Sequence, residues 1–526
     1  MGARWRLLLK PSLADFLFLS MLAWLLLAGE QGGHKLLLDG DTGWHIRTGE
    51  YILDHGKVPS QDLFSFSRPG APWYAWEWLA DVVYALLFRA WGLKGVVLLG
   101  GVQIALFAAL LFRYIMWRGA NGLVAMAVGM LAVGASTLHY LARPHLYTLV
   151  LLVASLWLLE RDRRRPTRAV WWLIPLTGLW TNLHGGFLAL IACLGVLAAA
   201  SALESVWLGV RDPRQWIGSR RYLLLTIGCA AATLANPYGW NLHRHLAEYL
   251  RSDWIRGAIQ EFQSPSFRHE NILQYEVLLF AGLLAAASLL RRRQVTEAAW
   301  ILFWAHQSLA SVRHVPIYVA VAAPLVASEV TSWCEQAFAR LDRRSVLSIL
   351  NRIGADIGAG FRWASLWPAV VVLGFLWVDY PIRWPRDFPE VMFPIPMIER
   401  HKEEITSLRL LTSDQWADYL LYRFYPHQKV YIDGRSDFYG SRLGEEYLRV
   451  WHGRHDWERI LERNGFELAL IPAEWPLGSL LKQDPRWRLL DDDGKALLFK
   501  RLKANEQAAG QLSKNLPAGS KKPPGD

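Results

Sequence analysis

Apolar runs of membrane-spanning length recur from about residue 13 to about residue 378, and no other feature constrains the fold as strongly. A run of about 20 apolar residues crosses the hydrocarbon core as a helix, because only a helix satisfies its own backbone hydrogen bonds there. Spans are expected near 13–29, 94–117, 120–140, 144–160, 169–182, 186–207, 222–236, 272–290, 297–312, 315–333 and 364–378, about eleven in all. With 53% hydrophobic and only 20% charged residues, the class is a polytopic membrane protein. Residues 1–29 carry Arg4, Arg6 and Lys10 ahead of an apolar core, as a signal sequence does; followed by so many spans, they read as an uncleaved anchor. Cys193, Cys229 and Cys334 fall in spans or at a span end, so no external disulfide or thiolate metal site is indicated.

Positive charge sets the expected orientation. Arg161, Arg163, Arg164, Arg165 and Arg168 form one loop, and Arg211, Arg214, Arg220 and Arg221 a second. Arg291 to Arg293 form a third, and Arg340, Arg343, Arg344, Arg352 and Arg362 a fourth. An inside N-terminus brings all four to the cytoplasmic side. The net charge of +11 is then loop charge facing anionic lipid, and no nucleic-acid partner is implied. The segment Leu79 to Trp91 is apolar but too short to span. Its Leu79, Val82, Val83, Leu86, Leu87 and Ala90 share one helical face, the pattern of an interfacial helix on the outer leaflet. If it spans instead, everything after it inverts.

On this topology the polar motifs gather on the outer side. They are the Asp39–Glu50 loop, Arg143-Pro144-His145, Asn182 to Gly186, Asn236-Pro237-Tyr238-Gly239, Glu261 to Pro265, and Arg313-His314. Short polar loops on one side point to one composite site. From about residue 380 the composition becomes that of a soluble domain. Strands are expected at 408–412, 429–433 and 468–472, with helices at 415–425, 440–452, 456–464 and 476–483 and a closing hairpin around Asp493-Gly494. The fold class is therefore an all-α polytopic membrane domain, 1–379, followed by a small α/β extracytoplasmic domain, 380–503, and a disordered tail, 504–526.

Asp39 and Asp41 form an Asp-x-Asp pair, which can hold a divalent cation or set one base beside one orienting carboxylate. The same pair in a soluble loop would be structural; here it abuts the membrane, with Trp44 and His45 about one turn further on. Asp41 is the first choice as base. His45 orients a phosphate or carboxylate, or else bonds a loop carbonyl. Arg143, with His145 as second donor, is a cationic clamp for a lipid phosphate, or else snorkels to headgroups. Asn182 and His184 sit at a glycine turn at the depth of polar substrate groups, although the turn alone explains the glycines. Arg313 and His314 join two spans through a minimal loop. His306 lies within a span, where helix–helix hydrogen bonding is the favoured reading. Asp433 to Asp437 reads as a turn with a salt bridge, in preference to a polar substrate rim. No nucleotide-binding or zinc-helix motif occurs, so an ATP-driven transporter is unsupported.

With these residues in view, the chain resembles the GT-C superfamily of polytopic glycosyltransferases, and within it a bacterial group. The resemblance rests on Asp39/Asp41–Trp44–His45 after the first span, Ala142-Arg143-Pro144-His145, Asn182–Gly186, Asn236–Gly239 and the C-terminal domain. It implies transfer of a sugar from a polyprenyl-phosphate or polyprenyl-diphosphate carrier to a glycan, lipid or protein acceptor at the outer face of the bacterial inner membrane. It also implies a catalytic carboxylate in the first outer loop, a role that carries over to Asp41, or to Asp39 if the turn presents that one. Trp416-Ala417-Asp418-Tyr419 is loosely similar to an oligosaccharyltransferase acceptor motif, departing at Ala417 and Leu420. Metal dependence varies in the superfamily, and a second acidic pair is not evident. The competing classes are a lipid-linked-sugar flippase or exporter, which needs polar residues along the inner half of the spans, and a non-catalytic glycan-lipid scaffold.

Overall fold

The computed structural model describes residues 8–29, 31–207, 213–268, 272–361, 364–379 and 382–503. It divides into two compact units, Met1–Ser60 with Tyr74–Pro389, and Gln61–Trp73 with Glu390–Asp526. The expected tail, 504–526, and the arginine-bearing positions 4, 6, 211 and 362 lie outside the described residues.

The first unit is helical. It runs α1 (Leu13–Leu27), α2 (Asp41–His55), α3 (Trp78–Trp91), α4 (Leu93–Trp117), α5 (Gly122–Ser136), α6 (His145–Arg164), α7 (Leu173–Thr181) and α8 (Phe187–Trp207). There follow α9 (Pro213–Ala232), α10 (Trp240–Arg251), α11 (Asp253–Ala258), α12 (Ile272–Arg291), α13 (Val295–Ala310), α14 (Val315–Phe338), α15 (Val346–Ile357) and α16 (Trp367–Trp377). Each expected span falls on a helix. Among the described residues five stretches are long and apolar enough to cross a membrane: Leu93–Trp117, Gly122–His139, Phe187–Glu204, Ile272–Arg291 and Val312–Phe338. The apolar helices α1 and α16 are shorter. Leu273, Val277, Phe280 and Leu284 are all exposed on α12, where lipid suits them and water does not. The chain is a multi-pass membrane protein.

Local chemistry starts and stops these helices. Ser12 and Asp15 form a reciprocal capping box on α1, and Asp15 also takes the backbone N–H and hydroxyl of Ser365. Asn121 accepts from the Leu123 N–H at the start of α5. At the far end of α6 from His145, Glu160 pairs with Arg118 and Arg163, and Arg163 with Glu297 at 2.9 Å, tying α4, α6 and α13 together.

The expected Asp39–Glu50 loop is mostly helix. Asp41 opens α2, which continues to His55 because Gly56 ends it in a left-handed conformation at φ 64°. Helix α3 packs on α2 through a face of Ala80, Asp81, Tyr84 and Ala85, while Leu86 on the opposite, apolar face is exposed. The approach is close at Gly49, where an added Cβ would lie 1.9 Å from the Asp81 carbonyl oxygen and 2.8 Å from the Ala85 Cβ. Backbone cannot yield as a side-chain tip can. Gly49→Ala is therefore expected to lose about 1–3 kcal/mol of stability by overpacking, read as a fall in the unfolding midpoint in detergent.

The second unit carries α17 (Ile395–Arg400), α18 (Lys402–Ser407), α19 (Asp414–Phe424), α20 (Ser436–Trp451), α21 (Trp457–Asn464) and α22 (Pro476–Gln483) around a four-stranded sheet. Its strands are β1 (Leu410–Thr412), β2 (Leu468–Pro472), β3 (Trp487–Asp492) and β4 (Ala496–Arg501), in the order β1-β2-β4-β3. β1 is parallel to β2, and the other pairings are antiparallel. Gly494, at φ 81°, turns the expected β3–β4 hairpin. The expected strand at 429–433 does not join the sheet. The Val430 N–H and C=O bond instead to the backbone of Phe64 and Phe66, on the inserted segment 61–73. That segment is pinned by Arg435, buried between Asp62 at 2.8 Å and Asp433 at 2.6 Å and stacked on Phe64, Trp73 and Phe438. The Asp433–Asp437 stretch thus carries the expected salt bridge, buried and extended to Asp62 of the inserted segment. In α19 the buried Asp418 accepts the Gly434 N–H, and the Trp416 ring N–H donates to the Met392 carbonyl.

Candidate active site

Four separate segments of the first unit converge on Arg143. The Ala142 N–H donates to the Leu36 carbonyl at 2.8 Å, and the Thr42 hydroxyl to the Ala142 carbonyl at 3.0 Å. This lacing sets the turn before α6 against the N-terminus of α2. Asp39 accepts the Asp41 N–H at 2.9 Å and so presents both carboxylates on one side of the turn. The Arg143 guanidinium meets Asp39 at 2.8 Å, Asp41 at 2.6 Å and Glu261 at 3.0 Å. Burial disfavours the arginine's charge, but the three carboxylates outweigh it and push its pKa up. Reciprocally, Arg143 holds the Glu261 carboxyl well below the usual range, against the opposing effect of burial.

A fourth element completes this half. The Ser311 hydroxyl donates to the Glu261 carbonyl and the Val312 N–H to the Gln263 carbonyl, both at 2.8 Å, which ties the turn 260–263 to the turn 311–314. Arg313 lies over the Phe262 ring, 4.4 Å from its centroid, and among the described residues it makes no ion pair. His314 faces the Gln307 carbonyl through Nδ1 at 3.2 Å. His145 donates through Nε2 to the His139 carbonyl at 2.6 Å, and its ring lies 6.4 Å from that of His184.

A second polar line runs beside the first. His45 is buried against Trp44, its Nδ1 2.6 Å from Asp81 and its Nε2 3.6 Å from Glu77. Burial pushes the His45 pKa well down, with Arg143 adding to it, and burial next to Glu77 pushes Asp81 well up. The short contact couples the two groups, one proton lying between the Asp81 carboxyl and Nδ1. Glu77 also faces His184 Nε2 at 3.5 Å. The His184 Nδ1 accepts from the Thr148 hydroxyl at 2.7 Å and the Gly186 N–H at 3.0 Å, which places its proton on Nε2. Trp180 donates to Thr148 in turn at 3.0 Å. Gly186 is required here, since a Cβ would lie 2.2 Å from the Thr148 hydroxyl oxygen.

Asn182 is differently employed. Its amide accepts from the Trp78 ring N–H at 2.7 Å and donates to the Gly178 and Ala235 carbonyls, joining α3, α7 and the end of α9. Tyr238 of the Asn-Pro-Tyr-Gly motif likewise bonds the Pro59 carbonyl and the Ala75 N–H. His306, expected at a helix seam, is exposed on α13. Sequence reasoning did not single out Glu77, Asp81 or Thr148. Asp81 carried a signal, being a carboxylate inside an otherwise apolar helix. Among the described residues no group of three or more His, Cys, Asp or Glu is arranged to hold a metal ion. Asp39 and Asp41 instead share a guanidinium.

The His184 ring gives a pH test. Burial, with His145 and Arg313 beside it, pushes its pKa well below the ordinary 6.5. The unfolded chain therefore binds the extra proton below pH 6.5 and the folded chain does not. Stability falls as pH drops through that window, by about 1.4 kcal/mol per unit for one such group. His184→Asn is expected to flatten the wild-type decline between pH 6.5 and 5 in denaturation midpoints; parallel curves would show the imidazole is not buried neutral.

The architecture compares with solved structures. The oligosaccharyltransferase of Archaeoglobus fulgidus in the apo form aligns over 96% of this chain and 75% of its own, at a TM-score of 0.50 and 11% identity. AglB from the same organism, in complex with an inhibitory peptide and a dolichol-phosphate, aligns over 94% and 73%, at 0.54 and 11%. ArnT from Cupriavidus metallidurans bound to undecaprenyl phosphate aligns over 94% and 97%, at 0.43 and 14%. No family model matches the sequence, and no curated protein matches it either. The chain shares the fold of the archaeal oligosaccharyltransferases.

Proposed function

We propose that this chain is a membrane glycosyltransferase, moving a sugar from a polyprenyl-phosphate or polyprenyl-diphosphate carrier to an acceptor hydroxyl at the outer membrane face, with inversion. The observation that carries the reading is the meeting of Asp39, Asp41, Glu261 and Arg143 beside Arg313, at the helix ends of a GT-C fold. The N-terminus and basic loops are cytoplasmic and the second unit extracytoplasmic, on the distribution of arginines. AglB and ArnT each hold a polyprenyl-type phosphate, which supports a lipid of that kind as partner.

In this mechanism Asp41 accepts the proton of the attacking hydroxyl. The anomeric carbon–oxygen bond breaks as the new one forms, its electron pair passing to the carrier's phosphate. Arg313 and Arg143 meet the charge that develops there; fixed donors of this kind are each worth about 2.7–4 kcal/mol of barrier in a site shielded from water. Arg143 sharing its guanidinium with the phosphate weakens its hold on Asp41 and raises that carboxylate's basicity as the donor arrives.

The test is the unfolding temperature of detergent-purified protein with and without undecaprenyl phosphate and an undecaprenyl-phosphate-linked sugar. Ligand at a hundred times its Kd stabilises the folded state by about 2.7 kcal/mol. A shift in wild type that is lost in Arg313→Ala is the expected result. No shift with either lipid would overturn the reading.

A further inference from the structure

The three carboxylates on Arg143 are not equivalent. The Asp41 side chain is 8% exposed and stands in the first turn of α2; Asp39 is 15% exposed and is tied to the Asp41 N–H. Glu261 is 37% exposed, has the longest side chain, and sits in a short turn. Its neighbour Phe262 carries the Arg313 guanidinium, and the same turn is stitched to Ser311 and Val312. One anionic side chain is thus held by Arg143 and flanked by Arg313, a cation with no ion pair of its own among the described residues.

We infer that the Glu261 carboxylate occupies the seat of the carrier's phosphate between Arg143 and Arg313, and yields it when a phosphomonoester binds. The inference rests on the proposed function. A carboxylate and a phosphate present similar oxygens to a guanidinium fork, which is why one can hold the other's place. Both cannot stay, because two anions a few ångströms apart in a partly buried site repel strongly. Glu261 is the group free to leave, since Asp39 and Asp41 are held by helix and turn. Its departure also changes the site. Arg143 exchanges a carboxylate for phosphate oxygens, while Arg313 gains a partner. The empty site therefore carries its own anion in the seat, and the apparent affinity for phosphate is lowered by the small fraction of molecules whose Glu261 has swung out.

The experiment is equilibrium binding of undecaprenyl phosphate to the full chain in detergent, with inorganic phosphate as a soluble competitor. Wild type is compared with Glu261→Gln, Glu261→Ala and Arg313→Ala, the unfolding midpoint of each serving as a folding control. Glu261→Gln keeps shape and loses charge, and is expected to bind the lipid about ten times more tightly; Glu261→Ala should follow it in direction, and Arg313→Ala should bind more weakly. If inorganic phosphate binds more tightly to Glu261→Gln and the lipid does not bind at all, the seat is upheld as one for a free anion, and the carrier reading fails. If wild type binds the lipid while both Glu261 variants bind it equally or less well, Glu261 is not in the phosphate seat and the function reading stands. If no variant binds either phosphate, both readings fall.

Discussion

Arg143→Ala is expected to lose about 3 kcal/mol of folding stability, more than any other single change in the first unit considered above. The reason lies in what remains. Without the guanidinium, Asp39, Asp41 and Glu261 stay crowded together and lose the cation they share, and removing one partner of a buried pair typically destabilises by about 3–5 kcal/mol. The lower figure applies because the Arg143 side chain is 21% exposed. Arg143→Lys should recover only part of the loss, since a single ammonium cannot meet three carboxylates in a planar fork. The decisive comparison is Arg143→Ala against Arg143→Ala with Asp39→Asn and Asp41→Asn. Relieving the repulsion should restore stability, and the coupling is read from midpoints in SDS-titrated micelles. If the added amides destabilise further, the three acids are not held by Arg143 in the membrane-embedded protein.

The second large effect is on rate. Asp41→Asn should reduce single-turnover transfer from an undecaprenyl-phosphate-linked sugar by about 10²–10⁴-fold, the range a positioned general base contributes. Binding of the lipid should persist, because Arg313 and Arg143 remain. Asp39→Asn is expected to act more weakly on rate, since an amide oxygen still accepts the Asp41 N–H that shapes the turn. Full activity in Asp41→Asn together with loss in Asp39→Asn would exchange the two roles. Full activity in both would remove the pair from the chemistry and leave Glu77 as the next carboxylate to change, facing His45 and His184 as it does.

Much of this could be read directly from the chain. The apolar runs foretold where the apolar helices of the first unit lie, though not the polar ones such as α2, α10 and α15, because hydrophobic length and period are written in neighbouring residues. Asp39, Asp41, His45, Arg143 and His184 stood out as polar groups at the ends of apolar runs, where burial demands a partner or a task. The identity of the partner was beyond reach. Arg143 was expected to wait for a lipid phosphate, yet its carboxylates lie 104 and 118 positions away in the case of Asp39 and Glu261. Asp81 was hidden for the opposite reason. It sits in a segment whose apolar residues draw the eye, while its small and polar face is the one α2 covers at Gly49. Val430 was expected in a strand, and its alternation gave no hint that residues 61–73 would take its hydrogen bonds.

The sequence by itself determined the membrane class, the positions of the apolar helices, the β3–β4 hairpin and a short set of polar candidates, because each depends on local composition and spacing. Only the tertiary structure decided which of those candidates share a charge. Ion pairs and buried proton positions are set by distances between segments far apart in the chain, and a single glycine at a helix contact or one threonine hydroxyl under an imidazole is enough to settle them.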